Sequence, residues 1–277
     1  MLKRTITSIV AVIILLPVLW FSDTYIFPAA LALITCIALY EMFSCIGFKT
    51  KFAVTLPAYL FGAAAPFLIK LFGNINSVIV ALCAVMMVYI LYLMMISVIC
   101  HDKYSIKDIS MCYITAIYII GGFASIQLLR ELSSSIYLLI FIGAWTTDIF
   151  AYFTGFFFGK HKLCEAVSPK KTIEGSIGGT LFCALAFVAF GLITLNKDAE
   201  IWKYAILAAS GLIISVVSQI GDLSMSLIKR HYGIKDFGKL FPGHGGMLDR
   251  FDSIIAVSIV LFILVSTLSS LNINIFI

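Results

Sequence analysis

Long apolar segments dominate this sequence and leave few folds open to it. A helix needs about 20 mostly apolar residues to cross the hydrocarbon layer of a bilayer. Stretches of that kind recur at roughly residues 6–22, 25–47, 53–73, 77–99, 110–127, 135–158, 174–195, 202–228 and 253–273. Of the 277 residues, 62% are hydrophobic and 12% charged, against about 25% charged in a soluble domain. No soluble core could hide this much apolar surface, so the solvent must be lipid. Helices apolar all round are what a membrane demands, and helical periodicity therefore adds nothing to the reading. The expected fold class is all-α, a polytopic integral membrane protein of about nine transmembrane helices.

Met1-Leu2-Lys3-Arg4 before an apolar run resembles the start of a signal peptide. A small-x-small cleavage site is missing, and Trp20-Phe21-Ser22-Asp23 follows instead, so the segment is expected to be the first span. Basic residues set the orientation, because they collect on the cytoplasmic side. With a cytoplasmic N-terminus, 15 of the 19 Lys and Arg residues fall on one side, leaving Arg130, Lys197 and Lys203 opposite and Lys70 near the end of a span. A misplaced span would have scrambled that sorting. The seven cysteines lie mostly inside apolar runs without C-x-x-C spacing, which argues against a disulfide framework and against a zinc site.

Two expected cytoplasmic loops, 159–173 and 229–252, are long, polar and dense in Lys, His, Gly and acidic residues. The spans of residues 1–130 carry almost no charge and are expected to form an N-terminal membrane scaffold, with both loops in a C-terminal catalytic region, 131–277. Asp148 and Asp222 fall inside apolar spans. An acid there costs about 2.5–3.5 kcal/mol on insertion scales and normally faces a cavity, a partner or an ion. Asp148, Tyr152 and Gly155 share one helical face, as do Asp222, Ser226, Lys229 and Arg230. Ser168-Pro169 predicts an N-cap and first helical position, with Lys170 and Lys171 in the first turn. Free backbone N–H groups and two ammoniums there would suit a phosphate. Gly175, Gly178 and Gly179 predict close helix packing.

The second loop reads Lys235-Asp236-Phe237-Gly238-Lys239-Leu240-Phe241-Pro242-Gly243-His244-Gly245-Gly246-Met247-Leu248-Asp249-Arg250-Phe251-Asp252. Its Asp-Phe-Gly lacks the other kinase motifs, and its His-Gly-Gly lacks a nucleophile elbow. What remains is a Gly-rich backbone able to approach a ligand closely, flanked by carboxylates and cations. Hard oxygen ligands and basic residues at one membrane face suit Mg²⁺-assisted chemistry on phosphates. No Walker A sequence is present.

The run S-L-I-K-R-x4-K-D-F-G-x2-F-P-G-H-G-G-M-L-D-R-F-D, from Ser226 to Asp252, resembles the phosphatidate cytidylyltransferase (CDP-diacylglycerol synthase) family. D-I-F-A-Y from Asp148 and S-P-K-K-T-I-E-G from Ser168 are similar to its other conserved segments. The resemblance covers about residues 143–252, and Phe157 stands where the family pattern leads one to expect a basic or small residue. It implies a multi-span enzyme, often a homodimer, that joins CTP to phosphatidic acid in the membrane and releases pyrophosphate. It further implies that Asp222 and Asp249 are metal-site carboxylates and that Asp148 is a third acidic member. Lys170 and Lys171 would hold phosphates, assisted by Lys229, Arg230, Lys235 and Arg250. The expected catalytic set is Asp148, Lys170, Lys171, Asp222, Lys229 and Asp249. The phosphate-binding set adds Ser168, Arg230, Lys235, His244 and Arg250. Mg²⁺ is the expected cofactor, with K⁺ the candidate for a second cation, and no nucleic-acid partner is expected. The compact chain suggests a bacterial cytoplasmic membrane with the active site on its cytoplasmic side. Rival readings are another CTP-using lipid enzyme, an ion-coupled transporter built on Asp148 and Asp222, and a structural scaffold.

Overall fold

The computed structural model describes residues 13–195, 200–241, 243, 245–273 and 275. The first expected span begins outside the described residues; its remainder appears as a helical stretch, α1, over residues 13–20. Then come α2 (Ile26–Cys45), α3 (Phe52–Phe72), α4 (Ile75–Ile99), α5 (Ile106–Leu132) and α6 (Leu138–Phe158). A short hairpin, β1 (Lys162–Cys164) and β2 (Ser168–Thr172), precedes α7 (Ile173–Thr194), α8 (Ile201–His231) and α9 (Leu248–Ser270). Among the described residues, eight helices, α2 to α9, are long and apolar enough to cross a membrane, and each overlaps a segment expected from the sequence.

The chain forms two compact units. One comprises Met1–Glu131 with Tyr232–Phe251, and the other Leu132–His231 with Asp252–Ile277. In the first unit α3 carries Pro57 and Pro66 within its span. A helical proline leaves the carbonyl four residues earlier without its donor, and in lipid that carbonyl needs another. Ala53 is the residue so affected by Pro57, and the Tyr92 hydroxyl of α4 donates to its carbonyl at 2.7 Å. One turn away, Tyr89 donates to the Val54 carbonyl at 3.0 Å. Arg130, at the far end of α5, is buried, donates to the Ser22 hydroxyl at 2.9 Å and pairs with Asp23.

The second unit is built on glycine seams. A Cβ on Gly175 would meet the Ala151 carbonyl at 2.6 Å, and one on Gly179 would meet the Thr147 carbonyl at 2.7 Å. These two glycines therefore let α7 lie directly on α6, as their spacing predicts. A Cβ on Gly211 of α8 would likewise meet Ala184 of α7 at 2.7 Å, and one on Gly221 would meet Ala256 of α9 at 2.7 Å. Between these close-set helices runs a ladder of polar side chains. Thr147 donates to Ser215 at 3.0 Å, Ser215 to Thr180 at 3.2 Å, and the Gln219 amide to Thr180 at 3.2 Å.

The start of α7 corrects the sequence reading. Ser168-Pro169 does not begin a helix; residues 168–172 form β2, antiparallel to β1, with Cys164 opposite Ser168 and Lys162 opposite Thr172. The cap is Thr172, in an extended conformation, whose hydroxyl accepts from the Gly175 N–H at 3.1 Å. Proline's fixed φ suits a helix start and an extended edge strand alike, and both strands of a two-stranded sheet are edges. Lys162 Nζ then closes the hairpin on the Pro169 carbonyl at 2.7 Å. His161 anchors it to Glu174, Nδ1 to Oε1, also at 2.7 Å.

Candidate active site

In the second unit the hairpin sets the stage. Successive strand residues point to opposite faces, so Lys170 stays exposed while Lys171 turns inward and pairs with Asp222 on α8. The two lysines do not form one cradle in a first helical turn, because there is no helix there. Asp222 also faces Asp252, near the start of α9, which in turn faces Lys229. Gly221, next to Asp222, permits this approach: a Cβ there would meet Ala256 at 2.7 Å and the Asp252 carbonyl at 3.2 Å. Lys229 is 8% exposed, whereas Arg230, one residue on, is exposed. The result is a half-buried group of two carboxylates and two ammoniums at one end of α8.

Asp252 was absent from the sequence-derived set. The expected span, 253–273, leaves both Asp249 and Asp252 in a loop, and only Asp249 is singled out there. In fact α9 begins at Leu248, so Asp249 and Asp252 are helical and three residues apart, and the connection after α8 shortens to 232–247. Ser168 is half-buried on β2. Asp148 is exposed on α6, on a surface shared with exposed Trp145, Ile149 and Tyr152.

In the first unit the connection 232–247 is held by carboxylates. Asp249, 6% exposed, accepts through Oδ2 from the N–H of Phe237 and of Gly246, both at 2.8 Å. Phe241 N–H donates to the Gly245 carbonyl at 2.9 Å, and Gly243 and Gly245 adopt φ of 82° and 89°. That tight turn needs residues free to take positive φ. Lys235 and Arg250 are exposed beside it; His244 lies outside the described residues. Two further glycines of the loop, Gly238 and Gly246, serve a different purpose. A Cβ on Gly238 or Gly246 would run into the carboxylate of Glu41, from α2. The backbone that was expected to approach a ligand approaches an internal acid, one the sequence reading did not single out.

Hard carboxylate oxygens fit Mg²⁺ better than a soft metal. The facing pair Asp222 and Asp252, half-buried beside Lys171 and Lys229, is the part of this structure that supplies adjacent oxygens of that kind. Among the described residues of either unit, no group of three His, Cys, Asp or Glu side chains converges to complete a cage. Mg²⁺ commonly keeps several waters and takes one or two carboxylates together with substrate phosphates.

A multi-span membrane protein with carboxylates and ammoniums gathered at the helix ends belongs, by these features, among enzymes that handle phosphorylated substrates at a membrane face. Comparison with known proteins narrows the class. The cytidylyltransferase family matches residues 2–268, and the chain belongs to that family. A phosphatidate cytidylyltransferase of Staphylococcus haemolyticus is 36% identical over 257 residues, covering 92% of this chain and 95% of the relative. Those of Staphylococcus aureus and Staphylococcus saprophyticus are 37% and 33% identical with the same coverage. The likeness thus reaches well beyond residues 143–252, into the N-terminal helices that looked merely hydrophobic.

Proposed function

We propose that this protein transfers the cytidylyl group of CTP to phosphatidate, yielding CDP-diacylglycerol and pyrophosphate. The observation that carries the reading is the cluster of Asp222, Asp252, Lys171 and Lys229, in a chain similar along 92% of its length to phosphatidate cytidylyltransferases. A phosphatidate oxygen attacks the α-phosphorus of CTP in line. The new P–O bond forms as the bond to the β-phosphate oxygen breaks, and pyrophosphate leaves. A phosphomonoester has a second pKa of about 6, so the nucleophile is already largely ionised at neutral pH. No strong general base is required, which suits a site of Asp and Lys.

The difficulty is to unite two polyanions. Asp222, with Asp252 now added, would hold Mg²⁺, which would supply positive charge against the triphosphate and the departing pyrophosphate. Asp249 and Asp148, the other metal-site acids that the resemblance implies, are kept as candidate ligands to be tested singly. A second cation such as K⁺ would assist. Lys171 and Lys229 offer fixed ammoniums in a partly desolvated setting, where charge interactions are stronger than in water. Lys170, Arg230, Lys235 and Arg250, exposed at the same expected membrane face, guide the incoming phosphates, together with Ser168 and His244. The protein has nine spans, a cytoplasmic N-terminus and its site on the cytoplasmic side of a bacterial membrane. It works as a homodimer. CTP then arrives from water, and the lipid substrate from the bilayer.

The test is transfer of α-labelled CTP into chloroform-soluble product by the purified protein. Label is expected in lipid only when phosphatidic acid and Mg²⁺ are both present. Asp249→Asn and Asp252→Asn are each expected to lower the rate at least about a hundredfold, the scale set by losing a fixed electrostatic contact in an active site. A folded wild-type protein that labels no lipid would overturn the reaction. A Mg²⁺-dependent enzyme indifferent to Asp249→Asn would overturn only the proposed ligands.

A further inference from the structure

Glu41 lies on α2, nearly the whole chain away from the Gly-rich loop, and is 5% exposed. Its carboxylate reaches that loop with both oxygens. Oε1 accepts from the Met247 N–H at 2.9 Å, and Oε2 from the Leu248 N–H at 2.8 Å. Leu248 is the first residue of α9, and the leading N–H groups of a helix have no partner within it. They are usually capped by a side chain of the adjoining turn. Here the cap comes from another helix and carries a full negative charge, which the positive end of the helix favours.

Two further observations converge on the same side chain. Gly238 and Gly246 both lie against the Glu41 carboxylate, so close that neither could carry a Cβ unless Glu41 moved. Asp249, the next residue in the capped turn, accepts from the Phe237 and Gly246 N–H groups. The stretch from 237 to 249 is therefore gripped by two acids. Asp249 ties it to itself, and Glu41 ties it to α2. With each oxygen turned to a backbone N–H, Glu41 is built to hold the backbone rather than to ligate a metal.

We propose that Glu41 is a positioning residue for cytidylyl transfer, a cap supplied from α2 that fixes the first turn of α9 and with it the direction of the Asp249 carboxylate. The inference rests on the reading of Asp249 as part of the reaction centre. Glutamine at position 41 keeps the shape, but its NH₂ group must face one of the two N–H donors, so the grip is half lost.

The experiment uses full-length protein in nanodiscs, with Glu41→Gln, the milder Glu41→Asp, and Asp249→Asn alongside wild type. Amide hydrogen exchange is followed first, without Mg²⁺ or substrates. In Glu41→Gln, Met247 and Leu248 are expected to exchange at least about tenfold faster, as expected for weakening a charged hydrogen bond, with α6 and α7 unchanged. Turnover at varied Mg²⁺ comes second. A kcat lowered at least about tenfold, a higher Mg²⁺ requirement and a CTP KM within about twofold of wild type would mark lost positioning, not lost substrate binding. Glu41→Asp is expected to fall between the two. Wild-type exchange in the loop, or wild-type kcat and Mg²⁺ dependence beside an inactive Asp249→Asn, would overturn the proposal while leaving the Asp249 reading intact. Faster exchange in every span of both Glu41 variants would also overturn it, by making Glu41 a residue of the fold alone. An Asp249→Asn protein at full rate would remove its premise.

Discussion

Lys170 and Lys171 are adjacent and chemically identical, yet their surroundings differ. Lys171 is paired with Asp222, which also faces Asp252, while Lys170 is exposed on the other face of β2. Removing Lys171 leaves two carboxylates together with one cation fewer, and unpairing a partly buried charge costs far more than deleting an exposed one. Lys171→Ala is therefore expected to lower turnover at least about tenfold more than Lys170→Ala does, measured as labelled CDP-diacylglycerol at saturating CTP. Equal losses would show that the strand orientation does not matter to the reaction. The site residues were legible in unequal measure, for a physical reason. Asp222 is visible in the sequence because an acid in an apolar run is costly. Glu41 sits near the end of a span, where acids are cheap, and its partners are backbone N–H groups more than 200 residues away, which carry no side-chain identity.

At the scale of elements, apolar length alone marked α2 to α9, since helices are what lipid permits to such segments. The exceptions arise where one residue type serves two conformations. Pro169 was consistent with a helix start, and only Thr172, with its hydroxyl on Gly175, shows where α7 begins. The opposite case is Pro57, which looks like a helix breaker yet lies inside α3. The Tyr92 hydroxyl at 2.7 Å on the Ala53 carbonyl is what makes that proline tolerable. Tyr92→Phe removes the donor and nothing else. It is expected to destabilise the protein by about 1 kcal/mol, a typical worth for an interhelical hydrogen bond in a membrane. Thermal unfolding in detergent reads this as a lowered Tm with little change in turnover. Because Tyr89 still bonds Val54 at 3.0 Å, α3 should keep its course. An unchanged Tm would mean that the Ala53 carbonyl finds another donor.

At the scale of the whole molecule, orientation rests on charge: 15 of 19 basic residues lie on one side if the N-terminus is cytoplasmic. Helix α6, Leu138–Phe158, separates Ser134, in the turn after α5, from Cys164, in the hairpin. The proposed topology puts Ser134 outside and Cys164 inside, which a membrane-impermeant maleimide can distinguish. No disulfide joins any of the seven cysteines, so six can be replaced while Cys164 is kept, and Ser134→Cys can be introduced singly into the same background without Cys164. Cys164 is expected to react in inside-out vesicles alone, and Ser134→Cys in right-side-out vesicles alone. The opposite pattern would put the basic hairpin and its Lys171–Asp222 pair on the outer face, where CTP is not supplied. Cytidylyl transfer from cytoplasmic CTP would then be impossible for this site, even if purified protein performed it in detergent. Labelling of both from one side would mean that α6 does not cross the bilayer at all. The acid on α6, Asp148, would then lie outside the lipid, and the cost of placing it there would no longer argue for a functional role.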